Sequence, residues 1–367
     1  TAAVSLRPCS TSAASWTGLW SRERRMPLDR LRVVGPNVEF LYPKPPARTH
    51  SADERFDRQV RLFGTAGQER LRALHVAVVG AGGGGSILIE QLAHLGVGTI
   101  TAIDFDVVKR HNLSRIIGAT DDDARRGIKK VGIARRVAAA ADPSIDFRPV
   151  DGDITARGTA ELLLDTDYIL LATDTATARL VANAVAQSFL IPLIQIGAKV
   201  ETRPGGGIEQ IYTAVRPVVP RRGCLACAGL IDPIALQREA ATPEERANQN
   251  YLGDPEVIDP SVTTLNAAAA AGALNVLLMS VIGQASDELA AHRITLTRDG
   301  AVLALQDKHD PACRWSGEEP LSRYARADPS LLPCKPPSPA GAQQDPDAAG
   351  HEIGSRLVAR LRRLVRL

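Results

Sequence analysis

A chain of 367 residues with a formal net charge of +3 is long enough for one large domain with extensions or two modest ones. It is too weakly basic to argue for a nucleic-acid partner, and its 44% apolar and 23% charged content is ordinary for a globular protein. Five cysteines, odd in number and widely spread, do not look like a disulfide framework; the close pair Cys224 and Cys227 suggests a reducing compartment, the cytoplasm, and a metal.

Residues 1–50 form an N-terminal extension with one apolar patch, LRVVGPNVEFLYP, which reads as a single strand or as the remnant of an upstream domain. No basic, apolar and small-residue leader pattern is present in it. SADERFDRQVRLFGTAGQERLRAL (51–74) is a helical stretch that Ser51 or Asp53 can cap and that Gly64 and Gly67 break midway. Strands and helices then alternate: HVAVVG, SILIEQLAHL, TITAID, a helix over 127–141, IDFRPV, ARGTAELLL, DYILLATD, TATARLVANAVAQSFL and IPLIQIG. This order predicts an α/β fold, a Rossmann-like, doubly wound and mostly parallel sheet. After Gly197 the alternation becomes hairpin-like, which adds an antiparallel extension. The apolar run 267–283 is short and Ala-rich, and is expected as a buried helix rather than a membrane span. HRITLTRDGAVLALQ reads as two strands joined by an Asp-Gly turn. Residues 316–367 are expected as a Pro-rich flexible tail with a basic terminal helix, behind a main domain covering 51–315.

The chemistry starts at Gly80-Ala81-Gly82-Gly83-Gly84-Gly85, a G-x-G-x-x-G turn between a predicted strand and a predicted helix. Glycines there allow a tight turn and let backbone N–H groups approach a phosphate at the helix N-terminus. A helix end contributes only about 0.3–1 kcal/mol per exposed charge, so other groups must fix the ligand. Gly80, Gly82, Gly83 and Gly85 are the expected phosphate cradle, and Asp104 stands close to the spacing of an acid that binds ribose hydroxyls. A nicotinamide cofactor needs no more. Here Asp106, Asn112, Arg115 and Lys130 follow, supplying a second acid, amide donors and two cations for phosphoryl oxygens, and Asp174 ends the strand DYILLATD. Hard carboxylate oxygens suit the Mg²⁺ that accompanies ATP. Asp106 reads as a partner for that metal or for an orienting base, or as a cap of its loop.

The series RFDRQVRLFG, VAVVGAGGGGS, LGVGTITAIDFDVV, HNLSR, GIKK, ATDTATAR with Asn183, and CLAC resembles the ThiF/MoeB/HesA adenylyltransferases, relatives of ubiquitin-activating enzymes, over residues 53–315. The resemblance implies ATP-dependent adenylation of a terminal carboxylate, usually of a ubiquitin-like or sulfur-carrier protein, with release of pyrophosphate. By matching position, Asp104 resembles the ribose-binding acid, Arg115 and Lys130 the phosphate-binding pair, Asn112 the amide beside the phosphates and Asp174 the Mg²⁺-associated acid. Arg58 resembles an arginine that reaches the ATP of a neighbouring subunit, which implies a homodimer. Cys224 and Cys227 are half of a tetrahedral Zn²⁺ site. The matching second half reads Cys313-Arg-Trp-Ser316, so one thiolate is missing; either His309 or Cys334 completes the set, or the site is degenerate. The stretch NQNYLGDPEVIDPSVTTLNAAAA holds no cysteine for a thioester relay and resembles a bacterial branch associated with JAB-type isopeptidases. A small molecule, a peptide or a tRNA-linked carboxylate remains open as the acceptor. From other classes, an NAD-dependent oxidoreductase explains only the glycine turn and Asp104, and a non-catalytic nucleotide-binding scaffold is kept open by Thr175 and the incomplete cysteine set. The basic end RLVARLRRLVRL suits a partner or an anionic membrane surface, or simply its own domain.

Overall fold

The computed structural model describes residues 3–8, 18–21, 24–42, 53–203, 207–240 and 261–334. Its centre is an eight-stranded sheet in the order β12-β11-β10-β9-β8-β5-β6-β7. Strands β5 (His75–Val79), β6 (Thr99–Ile103), β7 (Asp146–Val150), β8 (Tyr168–Leu171) and the start of β9 (Leu193–Thr202) are parallel. β10 (Ile208–Val218), β11 (His292–Leu296) and β12 (Ala301–Leu305) continue it antiparallel. The expected doubly wound sheet with an antiparallel extension is what forms.

The strand sequences explain the layering. β5 is buried on both faces, and its side chains alternate between two cores. Val76 and Val78 join one apolar cluster with Leu88, Leu92 and Leu277, whereas Ala77 and Val79 join another with Leu171, Val181 and Val185. Such period-two sorting is what a strand covered by helices on both faces requires. α2 (Gly83–Leu95) and α4 (Lys130–Ala141) cover the first face, together with α8 (Thr263–Val281). α6 (Ala176–Phe189) covers the second. α8 is long and apolar enough to cross a membrane by composition, yet half of its most apolar window is buried in the protein, packed on α2, β9 and β10.

α1 (Asp57–Ala73) bends at Gly64, which adopts φ +76°, while Gly67 stays within the helix and is buried against Phe63. Asp53, not Ser51, caps the short turn that precedes it; Ser51 lies outside the described residues. The N-terminal patch forms a hairpin rather than one strand. β3 (Arg24–Val34) pairs with β1 (Ala3–Pro8), β2 (Gly18–Ser21) and β4 (Val38–Leu41). Val34 and Val38 enter the main core, and Asn37 exchanges two hydrogen bonds with the backbone of Ala285 at 3.1 and 2.8 Å. Arg30 pairs with buried Asp167, and Arg32 donates to the carbonyl of Thr166 at 2.9 Å.

The stretch 316–334, expected as the beginning of a flexible tail, is held on the domain by backbone contacts. Ala325 and Ala327 donate to the carbonyls of Gln187 and Ser188 at 3.0 and 2.9 Å, and Arg157 donates to that of Pro329 at 2.6 Å. The basic terminal helix and most of the cysteine-free stretch fall outside the described residues.

Candidate active site

In chain order the sheet is built outward from β5 through β6 to β7, and then restarts on the other flank of β5 with β8. That reversal opens a crevice at the carboxyl ends of β5 and β8, the place where ligands of such sheets bind. The glycine turn lies in it. Gly80 has φ +91°, donates to the carbonyl of Ile103 at 2.8 Å, and passes so close to β8 that a Cβ would stand 2.7 Å from the Ala172 oxygen. A Cβ on Gly85 would stand 1.7 Å from the Gly80 oxygen, whereas one on Gly82 would meet nothing within 4 Å. Gly82 is the N-cap of α2 and offers no side-chain hydrogen bond, which leaves the first N–H groups of the helix for a ligand.

Asp104 closes the turn from the β6 side. Its Oδ2 accepts the Ala81 N–H at 2.7 Å and its Oδ1 the Asp106 N–H at 2.8 Å. Burial pushes its carboxyl above the ordinary carboxylate range, against the pull of Lys130 and the two N–H donors. Lys130 begins α4, its ammonium 2.6 Å from Asp106 and its N–H bonded to the Asp106 carbonyl at 3.0 Å. The second acid therefore holds the lysine. Arg115 reaches the turn from the loop after β6: its Cδ and Cγ lie 3.2 and 3.3 Å from where a Gly83 Cβ would be. Its guanidinium donates to the His111 carbonyl at 3.0 Å. Asn112 is buried, accepts the Lys109 N–H at 3.0 Å, and takes the Arg115 N–H on its carbonyl at 3.0 Å. It braces the loop that delivers Arg115.

Asp174 is exposed just beyond β8, on the other side of the crevice. Arg58 is not brought into this site. It is exposed on α1, whose neighbouring Gln59 bonds to the carbonyl of His94 near the far end of α2. The 13-residue α2, about 20 Å long, separates that end from the turn.

Three groups here were not read from the sequence. Asn266, in the first turn of α8, places its Nδ2 2.4 Å from the position of a Gly83 Cβ, so Gly83 is open space that Asn266 fills. The buried Thr173 hydroxyl, beside Gly80, has no hydrogen-bond partner among the described residues. Glu239, on α7 (Pro233–Ala240), caps α6 by accepting the N–H groups of Ala176 and Thr177 at 2.7 and 2.8 Å and the Thr177 hydroxyl at 2.7 Å.

On the α6 side of the sheet the predicted cysteines meet. Cys224 Sγ lies 3.7 Å from Cys227 Sγ and 3.7 Å from Cys313 Sγ. Hydrogen bonding to its two neighbours, together with burial, pushes the Cys224 thiol up. Buried Asn183 ties the knuckle to α6 by accepting the Leu225 N–H at 2.9 Å. Neither expected fourth ligand joins them. Of the His, Cys, Asp and Glu side chains among the described residues, the group that could hold a metal here is these three cysteines, without His309. Cys334 packs in the apolar cluster with Trp315 and Leu332, and burial pushes its thiol up to about 11.

A parallel sheet with a phosphate-type turn at its reversal point, flanked by two cations and two acids, defines a nucleotide-binding protein of the Rossmann-like class. The ThiF family model matches residues 56–314, and the chain belongs to the ThiF family. Its relatives include the SAMP-activating enzyme E1 of Haloferax volcanii, 31% identical over 176 residues, covering 47% of this chain and 61% of that one. The sulfur carrier protein ThiS adenylyltransferase of Bacillus subtilis is 32% identical over 197 residues, covering 50% and 56%. The match thus spans less than two thirds of these relatives' length. Among solved structures, Escherichia coli MccB has the same fold, with a TM-score of 0.59 at 19% identity over 75% of each chain.

Proposed function

We propose that this protein uses ATP to adenylate the terminal carboxylate of a ubiquitin-like or sulfur-carrier protein, releasing pyrophosphate. The observation that carries the reading is the convergence on one glycine turn of Arg115, lying on Gly83, and Asp104, bonded to Ala81. The relatives' names supply the acceptor class. An NAD-dependent reading leaves Arg115 and Lys130 without work.

A carboxylate is already ionised at neutral pH, so no protein base is required. Its oxygen attacks the α-phosphorus, the bond to the bridging oxygen breaks, and pyrophosphate leaves with that electron pair. The chain positions the reactants and stabilises the charge. The free N–H groups of α2 face the phosphates, Arg115 and Lys130 neutralise the non-bridging and leaving oxygens, and Asp104 takes the ribose hydroxyls. Mg²⁺ would add charge neutralisation on the phosphates. Asp174, an exposed hard-oxygen donor at the crevice, and the Asp106 carboxylate are the acids that would hold it. Arg58, a helix length away from its own turn, serves the site of a second copy in a homodimer.

Cys224, Cys227 and Cys313 would hold a structural Zn²⁺. A tetrahedral ion bonded to each sulfur at about 2.3 Å separates the sulfurs by about 3.8 Å; Cys224 Sγ lies 3.7 Å from each of the other two, and all three sulfurs lie within 4.8 Å of one another. Retaining these thiols in reduced form suits the cytoplasm.

The test is calorimetry of ATP with Mg²⁺ against NAD, on wild type and Lys130→Ala, followed by pyrophosphate release with candidate carriers. ATP binding that weakens at least about tenfold in the variant is expected from the loss of one charge-assisted contact. Binding of NAD in preference to ATP would overturn the proposal.

A further inference from the structure

We infer that the hydroxyl of Ser316 is the fourth ligand of the cysteine site, so that the protein holds a thiophilic divalent cation by three sulfurs and one oxygen. This rests on the reading of Cys224, Cys227 and Cys313 as a Zn²⁺ site. Two turns build the site, and they match residue for residue. In the first, Cys224-Leu-Ala-Cys227 is closed by the Ala228 N–H donating to the Cys224 carbonyl at 3.0 Å. In the second, Cys313-Arg-Trp-Ser316 is closed by the Gly317 N–H donating to the Cys313 carbonyl at 2.8 Å. Ser316 therefore holds in its turn the place that Cys227 holds in the other.

The distances agree with that role. Ser316 Oγ lies 3.3 Å from Cys227 Sγ. In a tetrahedral site, an oxygen at about 2.0–2.1 Å and a sulfur at about 2.3 Å from the ion are about 3.5 Å apart. Ser316 is 2% exposed, so the hydroxyl is committed to the interior rather than to solvent. The second turn is tightly folded behind it, since a Cβ on Gly317 would stand 2.4 Å from the carbonyl oxygens of both Cys313 and Pro311. The two turns are also fixed against each other: a Cβ on Gly223 would stand 2.0 Å from the Lys308 oxygen. A backbone N–H points at one of the sulfurs, from Trp315 to Cys313 at 3.5 Å, as such groups do where thiolates must be kept.

Charge follows from the ligand set. A neutral hydroxyl keeps its proton, so a divalent ion with three thiolates carries one net negative charge. Four thiolates would carry two, at a higher desolvation cost in a buried place. The oxygen also makes the site harder, and it favours Zn²⁺ over softer ions more than four sulfurs would.

Full-length wild type, Ser316→Ala and Ser316→Cys would be titrated with Zn²⁺ and, separately, with Co²⁺ as a spectroscopic probe. Wild type is expected to take one ion with the sulfur-to-cobalt intensity of three thiolates. Ser316→Cys should raise that intensity by about one third, for four sulfurs in place of three, and tighten Zn²⁺ binding at least about tenfold. Ser316→Ala should loosen Zn²⁺ about tenfold or more. Wild-type binding with an unchanged spectrum and affinity in Ser316→Ala would overturn the role of Ser316 and leave the three-cysteine site standing. Failure of both wild type and Ser316→Cys to bind either ion would overturn the metal site itself, and Ser316 with it.

Discussion

Strand β8 carries an aspartate beyond each of its ends, and the two could hardly be more different. Asp167, before the strand, is fully buried and partnered on both oxygens: it pairs with Arg30, lies near Arg32 and accepts the His75 N–H at 3.0 Å. Asp174, past the strand, is open to solvent in the crevice. The amino edge of the sheet is a closed ion-pair lock that fastens the N-terminal hairpin to the domain. The carboxyl edge keeps charged groups in reach of a ligand. A buried acid whose two oxygens are both engaged by its own fold is architecture, and one left facing a crevice is available for chemistry.

This contrast can be broken most severely at the lock. Asp167→Asn leaves Arg30 buried without its counter-charge and is expected to cost about 3–5 kcal/mol, measured by urea unfolding, while ATP affinity in the folded fraction stays unchanged. A loss of ATP binding with unaltered stability would reverse the assignment. Next comes the turn itself. Gly85→Ala places a methyl on the immovable Gly80 oxygen, and about 1–3 kcal/mol and nucleotide binding should both be lost. Gly82→Ala, with open space around it, should stay within about 0.5 kcal/mol of wild type. Equal effects of the two would mean the turn is not as tight as the close approaches imply. The smallest change in stability, about 0.5 kcal/mol or less, is expected for Asp174→Asn. Its consequence should appear instead as a slower pyrophosphate release that excess Mg²⁺ partly restores.

What could be read from the sequence follows the range of the interactions. The glycine turn was legible because its demand is local: Gly80 needs a left-handed backbone, and Gly85 a hydrogen where a methyl would collide. Asp104 was legible because a β-α-β unit fixes its distance from that turn. Asn266 was not, since its contact with Gly83 depends on α8 returning from far along the chain to lie on α2. Ser316 was visible as a gap in a cysteine pattern, but its meaning needed two turns 89 residues apart to be seen side by side. The strap 316–334 misled because a Pro-rich, polar composition describes side chains, while the strap is held largely through backbone groups donating to the carbonyls of Gln187 and Ser188. Asp106 was open between a metal, an orienting base and a loop cap; in the structure its carboxylate meets the ammonium of Lys130, a base delivered by α4.

The place of α8 has a consequence for how the protein is made. Its apolar residues, Leu274, Leu277 and Val281 among them, complete the cluster that Leu88, Ile89 and Leu92 of α2 begin. During synthesis α2 leaves the ribosome long before α8 exists, and at about 5–20 residues per second the interval is roughly ten to forty seconds. Through that time the apolar flank of α2 that α8 will cover has no partner from it. Chaperone demand and aggregation in the cell should therefore be governed by the wait for α8, more than by the stability of the finished fold.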